Sequence, residues 1–274
     1  MTGTKATGLL ALGLLMAAAG VAGSAGAAPG LTSSPLKKCG PDSVVAGTVC
    51  LDKYEASVWR VPHPNTTNAP LVKKIQLGKA THDDLTQGGA TQLGLTENDF
   101  APCERDGTNC ADDIYAVSLP SVVPSAFIDW FQAQEACANA GKRLPTSAEW
   151  QVGAYGTPDP GPDNGTTDCN TLTAEEAVPT GSRAGCVSAR GAFDMVGNLQ
   201  EWVADWAPAP MACPGWASFS DDQMCFSGAN GISNFPGALL RGGWFADGPA
   251  AGPLNVILFP PFRTTGFVGV RCAR

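Results

Sequence analysis

The segment GAFDMVGNLQEWVADW, residues 191–206, places oxygen-bearing side chains and a glycine close together ahead of a tryptophan. Four such residues fall within eight positions: Asp194, Gly197, Asn198 and Glu201. Calcium takes about six to eight oxygens from carboxylates, amides and backbone carbonyls, and a turn of this composition offers that mixture. In the alternative interpretation the turn is purely structural, and Asn198 and Glu201 brace the chain ahead of Trp202. Both interpretations stay open at the level of sequence.

A second segment, GKRLPTSAEWQ at residues 141–151, predicts the start of a helix. Thr146 followed three residues later by Glu149 is the pattern of a capping box, in which each residue satisfies a free backbone N–H of the first turn. Trp150 then begins the apolar face of a short helix.

The stretch SAFIDWFQAQEACANAG, residues 125–141, predicts another helix. Apolar and small residues recur along it at the spacing of one helix face: Trp130, Ala133, Cys137 and Ala140. Gly141 is a natural end for this helix, because glycine readily adopts the left-handed conformation that terminates one.

The other segments show little long-range periodicity. The residues from Cys39 to Trp59 predict two short strands around a glycine turn, and residues 62–124, rich in Pro, Gly, Thr and Asp, predict long loops. Residues 153–191 are similarly rich in turn formers. Few long regular elements and many loops predict an α+β domain with low regular secondary structure rather than a layered α/β fold.

The N-terminus has the pattern of a secretory signal peptide. Lys5 is the single charge in the first 27 residues, an apolar run follows from Leu9 to Ala19, and the segment ends in Ala25-Gly26-Ala27. The apolar run is shorter than the roughly 20 residues of a membrane-spanning helix, so a retained anchor is the weaker interpretation. We therefore expect a signal peptide at residues 1–27, a disordered lead at 28–38 and a single domain at 39–274.

Composition excludes several classes of function. The chain has a formal net charge of −8, which argues against nucleic acid because phosphate binding draws on clustered Lys and Arg. Its two histidines, His63 and His82, stand in loop-like contexts, where solvated side chains are expected. Two histidines also cannot furnish a three-histidine metal centre.

Ten cysteines in an exported chain indicate disulfides, because the compartments outside the cytosol do not keep thiols reduced. Spacing alone suggests local pairs and leaves one long-range pair, although sequence does not fix connectivity. The expected pairs are Cys39 with Cys50, Cys103 with Cys110, Cys169 with Cys186, Cys213 with Cys225, and Cys137 with Cys272. We expect the protein to be secreted or periplasmic.

Several segments together resemble the formylglycine-generating enzyme family, also called the sulfatase-modifying-factor domain. The resemblance lies in GKRLPTSAEWQ, in GAFDMVGNLQEWVADW, in RGGWF at residues 241–245 and in the terminal GVRC, and CLDKYEASVW at residues 50–59 is similar to the family's opening segment. It runs in order from about Cys39 to Cys272. It implies a fold related to the C-type lectin domain, with calcium among the loops, and a disulfide between Cys137 and Cys272.

The resemblance also implies metal ligands. One calcium site would use the side chains of Asp194 and Glu201 and the backbone oxygens of Gly197 and Leu199. A second calcium loop would begin at Asn170, although the acidic partner expected downstream is not recognisable.

Catalytic members of the family oxidise a cysteine of a sulfatase to formylglycine with a pair of copper-binding thiols, which follow the RGG segment. Soft thiolates select Cu(I), so the chemistry depends on them. In this chain Asp247 and Gly252 stand near those positions, and Cys272 is the first cysteine after the segment. Bound copper is therefore not expected.

The sequence thus predicts a non-catalytic member of the family, a pseudoenzyme, that binds a peptide, protein or glycan in the family's substrate groove, with neither nucleic acid nor a membrane anchor after signal cleavage. Trp216 is the tryptophan most suited to contact a sugar, whereas Trp130, Trp150, Trp202 and Trp244 belong to the family motifs and suit the core. The alternative is an oxidoreductase of the same family with a rewired centre.

Overall fold

The sheet with the most strands among the described residues contains the second half of the GAFDMVGNLQEWVADW segment. The computed structural model describes residues 38–110, 113–159, 161–207, 224–225 and 237–274. Its strands are β6 (Gln200–Ala207), β7 (Met224–Cys225), β8 (Gly237–Arg241), β9 (Val256–Phe259) and β10 (Val268–Val270). They lie in the order β10-β6-β8-β9-β7, with β10 parallel to β6, β7 parallel to β9, and the other pairs antiparallel.

A second sheet and a hairpin are formed by the N-terminal half. The sheet has the order β4-β3-β5, from β3 (Ala56–Arg60), β4 (Thr91–Leu93) and β5 (Ile114–Ser118). The hairpin joins β1 (Ser43–Ala46) to β2 (Val49–Asp52) across Gly47, whose φ of +64° suits glycine. This agrees with the predicted pair of strands around a glycine turn.

Both predicted helices are present and are capped as their sequences indicate. Helix α3 (Trp130–Asn139) begins after Asp129, and its buried face includes Ala133 and Cys137. Helix α4 (Ser147–Ala154) begins after Thr146, whose side chain and that of Glu149 form the predicted capping box. Two further helices, α1 (Ala69–Gln76) and α2 (His82–Gln87), precede them.

The prediction of long loops over residues 62–124 is wrong in part. The segment contains α1, α2, β4 and β5, and a core cluster forms around buried Leu71, Ile75, Leu85 and Val117. These elements are three to eight residues long, so their apolar positions repeat too few times to produce a periodic signal. His82 is exposed as predicted, but it is the first residue of α2 rather than part of a loop.

Two of the family-motif tryptophans lie in the core, as expected. Trp150 and Trp202 are fully buried in separate clusters, whereas Trp130 and Trp244 are half-buried. Trp59, which lies outside the two central motifs, is also buried, because β3 presents it to the cluster around α1 and α2. Trp216 lies outside the described residues.

Four disulfides join cysteines of the described part of the chain, in the predicted pairs. They are Cys39–Cys50, Cys103–Cys110, Cys137–Cys272 and Cys169–Cys186. Such bonds persist in oxidising compartments and indicate a protein that does not work in a reducing cytosol. The pairing of Cys213 with Cys225 lies outside the described side chains and stays a prediction, as do the signal peptide at 1–27 and most of the lead at 28–38.

The chain from Lys37 to Arg274 forms one compact unit. None of the helices in its described part has both the length and the apolar character that crossing a membrane requires.

Candidate functional site

The RGG segment ends strand β8 and turns the chain sharply. Gly242 and Gly243 have φ values of +90° and +78°, a region that residues with a side chain rarely adopt. A Cβ on Gly243 would lie 2.6 Å from the Cα and Cβ atoms of Ala251. The two glycines therefore allow the following residues to fold back against the strand's end. We call residues 242–255 the site loop.

Hydrogen bonds between residues of the site loop hold it closed. The Gly252 N–H donates to the Gly242 carbonyl at 3.2 Å, and the Asn255 side chain donates to the Ala250 carbonyl at 2.8 Å. Gly252 and Asn255 are buried. Of the two positions near which the family's thiols would lie, Gly252 thus contributes backbone alone, and the chemistry of the loop rests with Asp247.

Asp247 lies half-buried at the start of a short 3-10 helix, Gly248–Ala250. Its carboxylate accepts a hydrogen bond from the Trp244 backbone N–H at 3.1 Å, and the side chain of Gln200 lies near enough to favour its charged form. Burial raises the pKa of the Asp247 carboxyl above its ordinary value, although these interactions oppose the change. Gln200 is the first residue of β6 and is buried, and its side-chain oxygen has no hydrogen-bond partner among the described residues.

Aromatic side chains flank this carboxylate. The Trp244 ring contacts Phe245 edge-on with centroids 4.8 Å apart, and it packs against Phe267 at 4.6 Å. All three residues are half-buried, and the cluster adjoins Asp247 through Trp244, whose backbone N–H donates to the carboxylate. A carboxylate next to partly accessible aromatic residues suits a ligand that combines a hydrogen-bond donor with an apolar surface.

The turn of the GAFDMVGNLQEWVADW segment supports the site loop directly. The Gly197 N–H donates to the Gly242 carbonyl at 3.1 Å, and the Phe245 N–H donates to the Asn198 carbonyl at 3.1 Å. Asp194, Gly197 and Asn198 all have positive φ, which makes the turn tight. The two predicted functional segments therefore meet through their backbones.

The side chain of Asn198 holds this turn in place through hydrogen bonds to other parts of the chain. Its side-chain oxygen accepts from the Val178 N–H at 2.8 Å and from the Asn170 amide at 3.1 Å, and its own amide donates to Glu55. The Leu199 N–H also donates to Glu55, at 2.9 Å. Asn198 and Glu55 are buried, so the bonds are shielded from water.

Glu201 is bound by a buried arginine. Its carboxylate accepts from Arg271 Nε at 3.0 Å and Nη2 at 2.8 Å, and from the Trp150 indole at 2.6 Å. Both charged side chains are at most 1% exposed. Glu55 and Asp194 carry further carboxylates nearby, and we call Glu55, Asp194, Glu201 and Arg271 the buried charge cluster.

Burial is the largest cause of the pKa shifts of Asp194 and Glu55 in this cluster. Burial raises the pKa of Asp194 to about 6, against the hydrogen bond that its carboxylate accepts from the Gly181 N–H at 2.7 Å. The pKa of Glu55 is also raised, by burial and then by the charges of Asp194 and Glu201.

One of the residues predicted to bind calcium, Glu201, already has a cationic partner in this arrangement. The structure brings Asp194, Gly197, Leu199 and Glu201 into one turn, but a guanidinium already bonds both oxygens of the Glu201 carboxylate. No group of three or more His, Cys, Asp or Glu side chains is placed to hold a metal among the residues that the structure describes. Calcium at this position stays a prediction.

Asn170, expected to begin a second calcium loop, is buried beside the same turn. Its amide donates to the Glu176 carbonyl at 3.1 Å, and its backbone oxygen accepts from the Asn198 N–H at 2.7 Å. Its side-chain oxygen is unpartnered within the described part of the chain. One unpartnered amide oxygen falls short of the about six to eight oxygens that calcium takes.

The thiol chemistry of the family has no counterpart at the site loop. Each cysteine side chain that the structure describes forms a disulfide, and the sequence holds no cysteine between Cys225 and Cys272. The residues of the loop therefore do not fit a copper–thiolate centre.

Sequence reasoning missed three residues that build the site. They are Glu55, Gln200 and Arg271. Glu55 and Arg271 bond to the GAFDMVGNLQEWVADW segment from other parts of the chain, and Gln200 favours the charged form of Asp247 in the site loop. A charge inside an apolar stretch is a signal that could have found Arg271, which stands in GFVGVRCAR, because a buried charge needs a partner.

Comparison with known proteins agrees with the resemblance seen in the motifs. Residues 91–274 match the family model of the sulfatase-modifying factor enzyme 1-like domain. A serine/threonine-protein kinase Pkn1 of Chlamydia trachomatis serovar L2 is 29% identical over 143 residues, which are 42% of this chain and 22% of the kinase. The hercynine oxygenase of Mycolicibacterium smegmatis is 28% identical over 173 residues, 57% of this chain and 38% of the oxygenase. The chain thus spans about a fifth to two fifths of the length of these relatives.

Solved structures with some likeness include PvdO from Pseudomonas aeruginosa and the Major Tropism Determinant P3c variant. PvdO is 19% identical with a TM-score of 0.44, and the alignment covers 82% of this chain and 80% of PvdO. The P3c variant is 18% identical with a TM-score of 0.45, covering 85% of this chain and 52% of that one. These scores are too low to carry an argument. The family model, however, covers about two thirds of the chain and confirms the predicted α+β fold class, so the chain belongs to the sulfatase-modifying factor enzyme 1-like (formylglycine-generating enzyme) domain family.

Proposed function

We propose that this chain is an exported, non-catalytic member of its family that binds a peptide, protein or glycan at the site loop. The observation that carries the proposal is Asp247, a half-buried carboxylate bonded by the Trp244 N–H near a position where the family would use a thiol. A fixed carboxylate accepts hydrogen bonds from amide N–H, ammonium or sugar hydroxyl groups.

The aromatic side chains beside it supply the other half of a binding surface. Trp244, Phe245 and Phe267 present half-buried rings, and such rings give contact area at a low cost in conformational entropy. The site loop is also held rigidly by its own bonds and by the Gly197–Asn198 turn, which favours binding because little order has to be gained.

Export is supported by the signal-like N-terminus and by the four disulfides. Mass measurement of the mature N-terminus after expression with the full leader tests it. We expect a new N-terminus near Ala28, and an intact Met1 in a cell-retained protein would contradict export.

Arrays of immobilised oligosaccharides and of peptides test ligand binding. We expect the wild-type protein to bind members of one array, and the Asp247→Asn variant to lose most of that binding because the amide replaces an acceptor oxygen and removes the charge. Glu97→Gln is the matched control, since Glu97 is exposed and lies outside the site loop. Equal binding by Asp247→Asn and the control would reject Asp247 as the recognition residue, and the absence of any bound member would reject the function.

The second candidate is an oxidoreductase, which the 28% identity to the hercynine oxygenase favours. Asp247, with its raised pKa, is the one group of the site loop suited to transfer a proton. Electron transfer would require a redox cofactor, and the site loop offers no thiol or histidine to hold one. Oxygen consumption by the purified protein distinguishes this candidate from the first.

A further inference from the structure

A cavity of about 350 Å³ opens on the side of the fold built by the N-terminal half. Its wall combines the end of β2 with the connection between α1 and α2 and with the residues after β5. None of its lining residues belongs to the site loop or to the buried charge cluster. We call it the cationic pocket, for the side chains Lys53 and Lys79 that line it.

The charges of this pocket are unbalanced in favour of cations. Its one acidic lining residue, Asp42, is already paired with Lys142 at 3.1 Å and with Arg274 at 3.0 Å. Lys53 and Lys79 have no carboxylate within ion-pair distance among the described residues. The chain as a whole has a net charge of −8, so two such lysines on one cavity wall are unusual here.

Lys53 lies against two aromatic rings. Its ammonium lies 5.5 Å from the centre of the Tyr54 ring and 5.6 Å from that of Phe193, two rings that stack at 5.3 Å. The backbone on both sides is tied down, since the Lys53 N–H donates to the Asp42 carbonyl and the Tyr54 N–H donates to the Ser118 hydroxyl. A cation that is already ordered loses little entropy when an anion binds to it.

The remaining wall is largely apolar. Leu119 and Pro120 follow strand β5, Pro41 and Ala80 face the same space, and Tyr54 contributes its ring. A neighbouring cavity of about 490 Å³ shares His82 and Pro120 with the pocket, so the apolar surface continues past the histidine. The volume falls in the range that proteins use for small molecules, about 300–1,000 Å³.

We propose that the cationic pocket binds a small organic acid, with its anionic group on Lys53 and Lys79 and its apolar body against Tyr54, Leu119 and Pro120. The two cations supply charge-assisted hydrogen bonds to a carboxylate, and the apolar wall supplies the contact area that a free inorganic anion would not use. The inference is independent of ligand binding at the site loop, because the two sites share no residue.

Titration calorimetry with 3-phenylpropanoate and its neutral amide, 3-phenylpropanamide, tests this inference. We expect the acid to bind the wild-type protein at least about fivefold more tightly than the amide, since the amide lacks the charge that the lysines recognise. In the Lys53→Gln/Lys79→Gln variant, the acid should bind no better than the amide. Raising the salt concentration should weaken the binding of the acid alone, because salt screens the attraction.

The matched control is Lys38→Gln/Lys73→Gln, which removes the same charge from exposed lysines outside the pocket and should bind the acid as the wild type does. The Asp247→Asn variant should also bind it normally, so failure here is distinguishable from failure of the proposed function. Thermal melting of each variant confirms that it is folded. Equal affinity for acid and amide, equal loss in both double variants, or no binding of the acid at millimolar concentration would overturn the inference.

Discussion

Arg271 lies among three buried carboxylates, and its charge stabilises the turn that bonds to the site loop. Burial lowers the pKa of its guanidinium, but the charge of Glu201, which it bonds directly, and then those of Glu55 and Asp194 outweigh this and raise the pKa. The guanidinium also donates to the carbonyls of Asp52 and Phe193, so it joins the hairpin to the turn. Removing it would leave three carboxylates together without a compensating cation.

We therefore predict that Arg271→Met destabilises the protein by about 3–5 kcal/mol in urea unfolding, because breaking a buried pair leaves an uncompensated charge. The matched control is Arg143→Met, which breaks the exposed pair with Glu149 and should cost less than about 1 kcal/mol. Equal losses in the two variants would contradict the structural role of the buried charge cluster.

Gly243 carries the second prediction at the scale of residues. Its φ of +78° penalises any side chain, and a Cβ there would also meet Ala251 at 2.6 Å. Gly161 has a similar φ of +81°, but a Cβ there would have no other atom within 4 Å among the described residues. A substitution at Gly161 therefore measures the cost of the backbone conformation without the clash.

Accordingly, Gly161→Ala should cost about 1–2 kcal/mol of unfolding free energy, and Gly243→Ala should cost clearly more because the site loop must shift. Urea unfolding of both variants measures the difference. A loss at Gly243 no greater than that at Gly161 would show that the loop adapts without strain.

At the scale of elements, the cap of helix α3 makes stability depend on pH. Asp129 is fully buried, and its Oδ1 accepts from the Gln132 N–H at 2.9 Å, while its Oδ2 has no hydrogen-bond partner among the described residues. Burial raises the pKa of Asp129 to about 7, even though the hydrogen bonds at the helix N-terminus favour the charged form.

Since an unfolded aspartate has a pKa of about 3.9, the folded state binds this proton more tightly. The contribution of Asp129 to stability is therefore fully present below about pH 4 and is lost as the pH rises to about 7. Asp129→Asn keeps the capping oxygen and cannot ionise, so unfolding free energies between pH 4 and 8 should vary less in this variant than in the wild type. At pH 8 the variant should be the more stable by up to about 4 kcal/mol, since each unit of raised pKa corresponds to about 1.4 kcal/mol. Parallel pH curves for the two proteins would contradict the assignment.

The elements that sequence predicts well are those fixed by local rules. The capping box of Thr146 and Glu149 and the end of α3 near Gly141 follow from residues three or four positions apart, and both are present. Helix α2 carries a local signal of the same kind, the capping box of Thr81 and Asp84, which sequence reasoning missed. Helix α1 has no side-chain cap and is stabilised by buried Leu71 and Ile75, whose partners only the tertiary fold brings together.

In the candidate site too, local sequence predicts some residues, and contacts between distant segments decide the others. Asp247 and the turn at Asp194 could be placed from motifs, because they lie in contiguous segments. The partners of the turn could not, since Glu55 is 144 residues from Leu199 and Arg271 is 70 residues from Glu201. Spacing along a chain carries no information about contacts at that distance.

For the whole molecule, the disulfides differ most in the length of chain that they close. Cys137 and Cys272 are 135 residues apart and join α3 to the residues after β10, whereas Cys103 and Cys110 are seven apart. A cross-link that closes a longer loop restricts the unfolded chain more.

Chain-entropy reasoning gives about 5 kcal/mol for the long loop and about 2.5 kcal/mol for the short one. We therefore predict that Cys137→Ala/Cys272→Ala lowers the unfolding free energy about twice as much as Cys103→Ala/Cys110→Ala. Urea unfolding of the two double variants measures this ratio, and a larger loss from the short loop would contradict it.

The central proposal is that the site loop of this family member does not support the oxidation that catalytic members of the family carry out. Oxygen consumption by the purified protein, loaded with Cu(I) and supplied with a cysteine-containing peptide, tests it most directly. We predict no oxygen uptake above the rate of the copper and peptide alone, and no stoichiometric copper after desalting, because the site loop lacks thiols to hold the metal. Stoichiometric copper together with peptide-dependent oxygen uptake would contradict the claim.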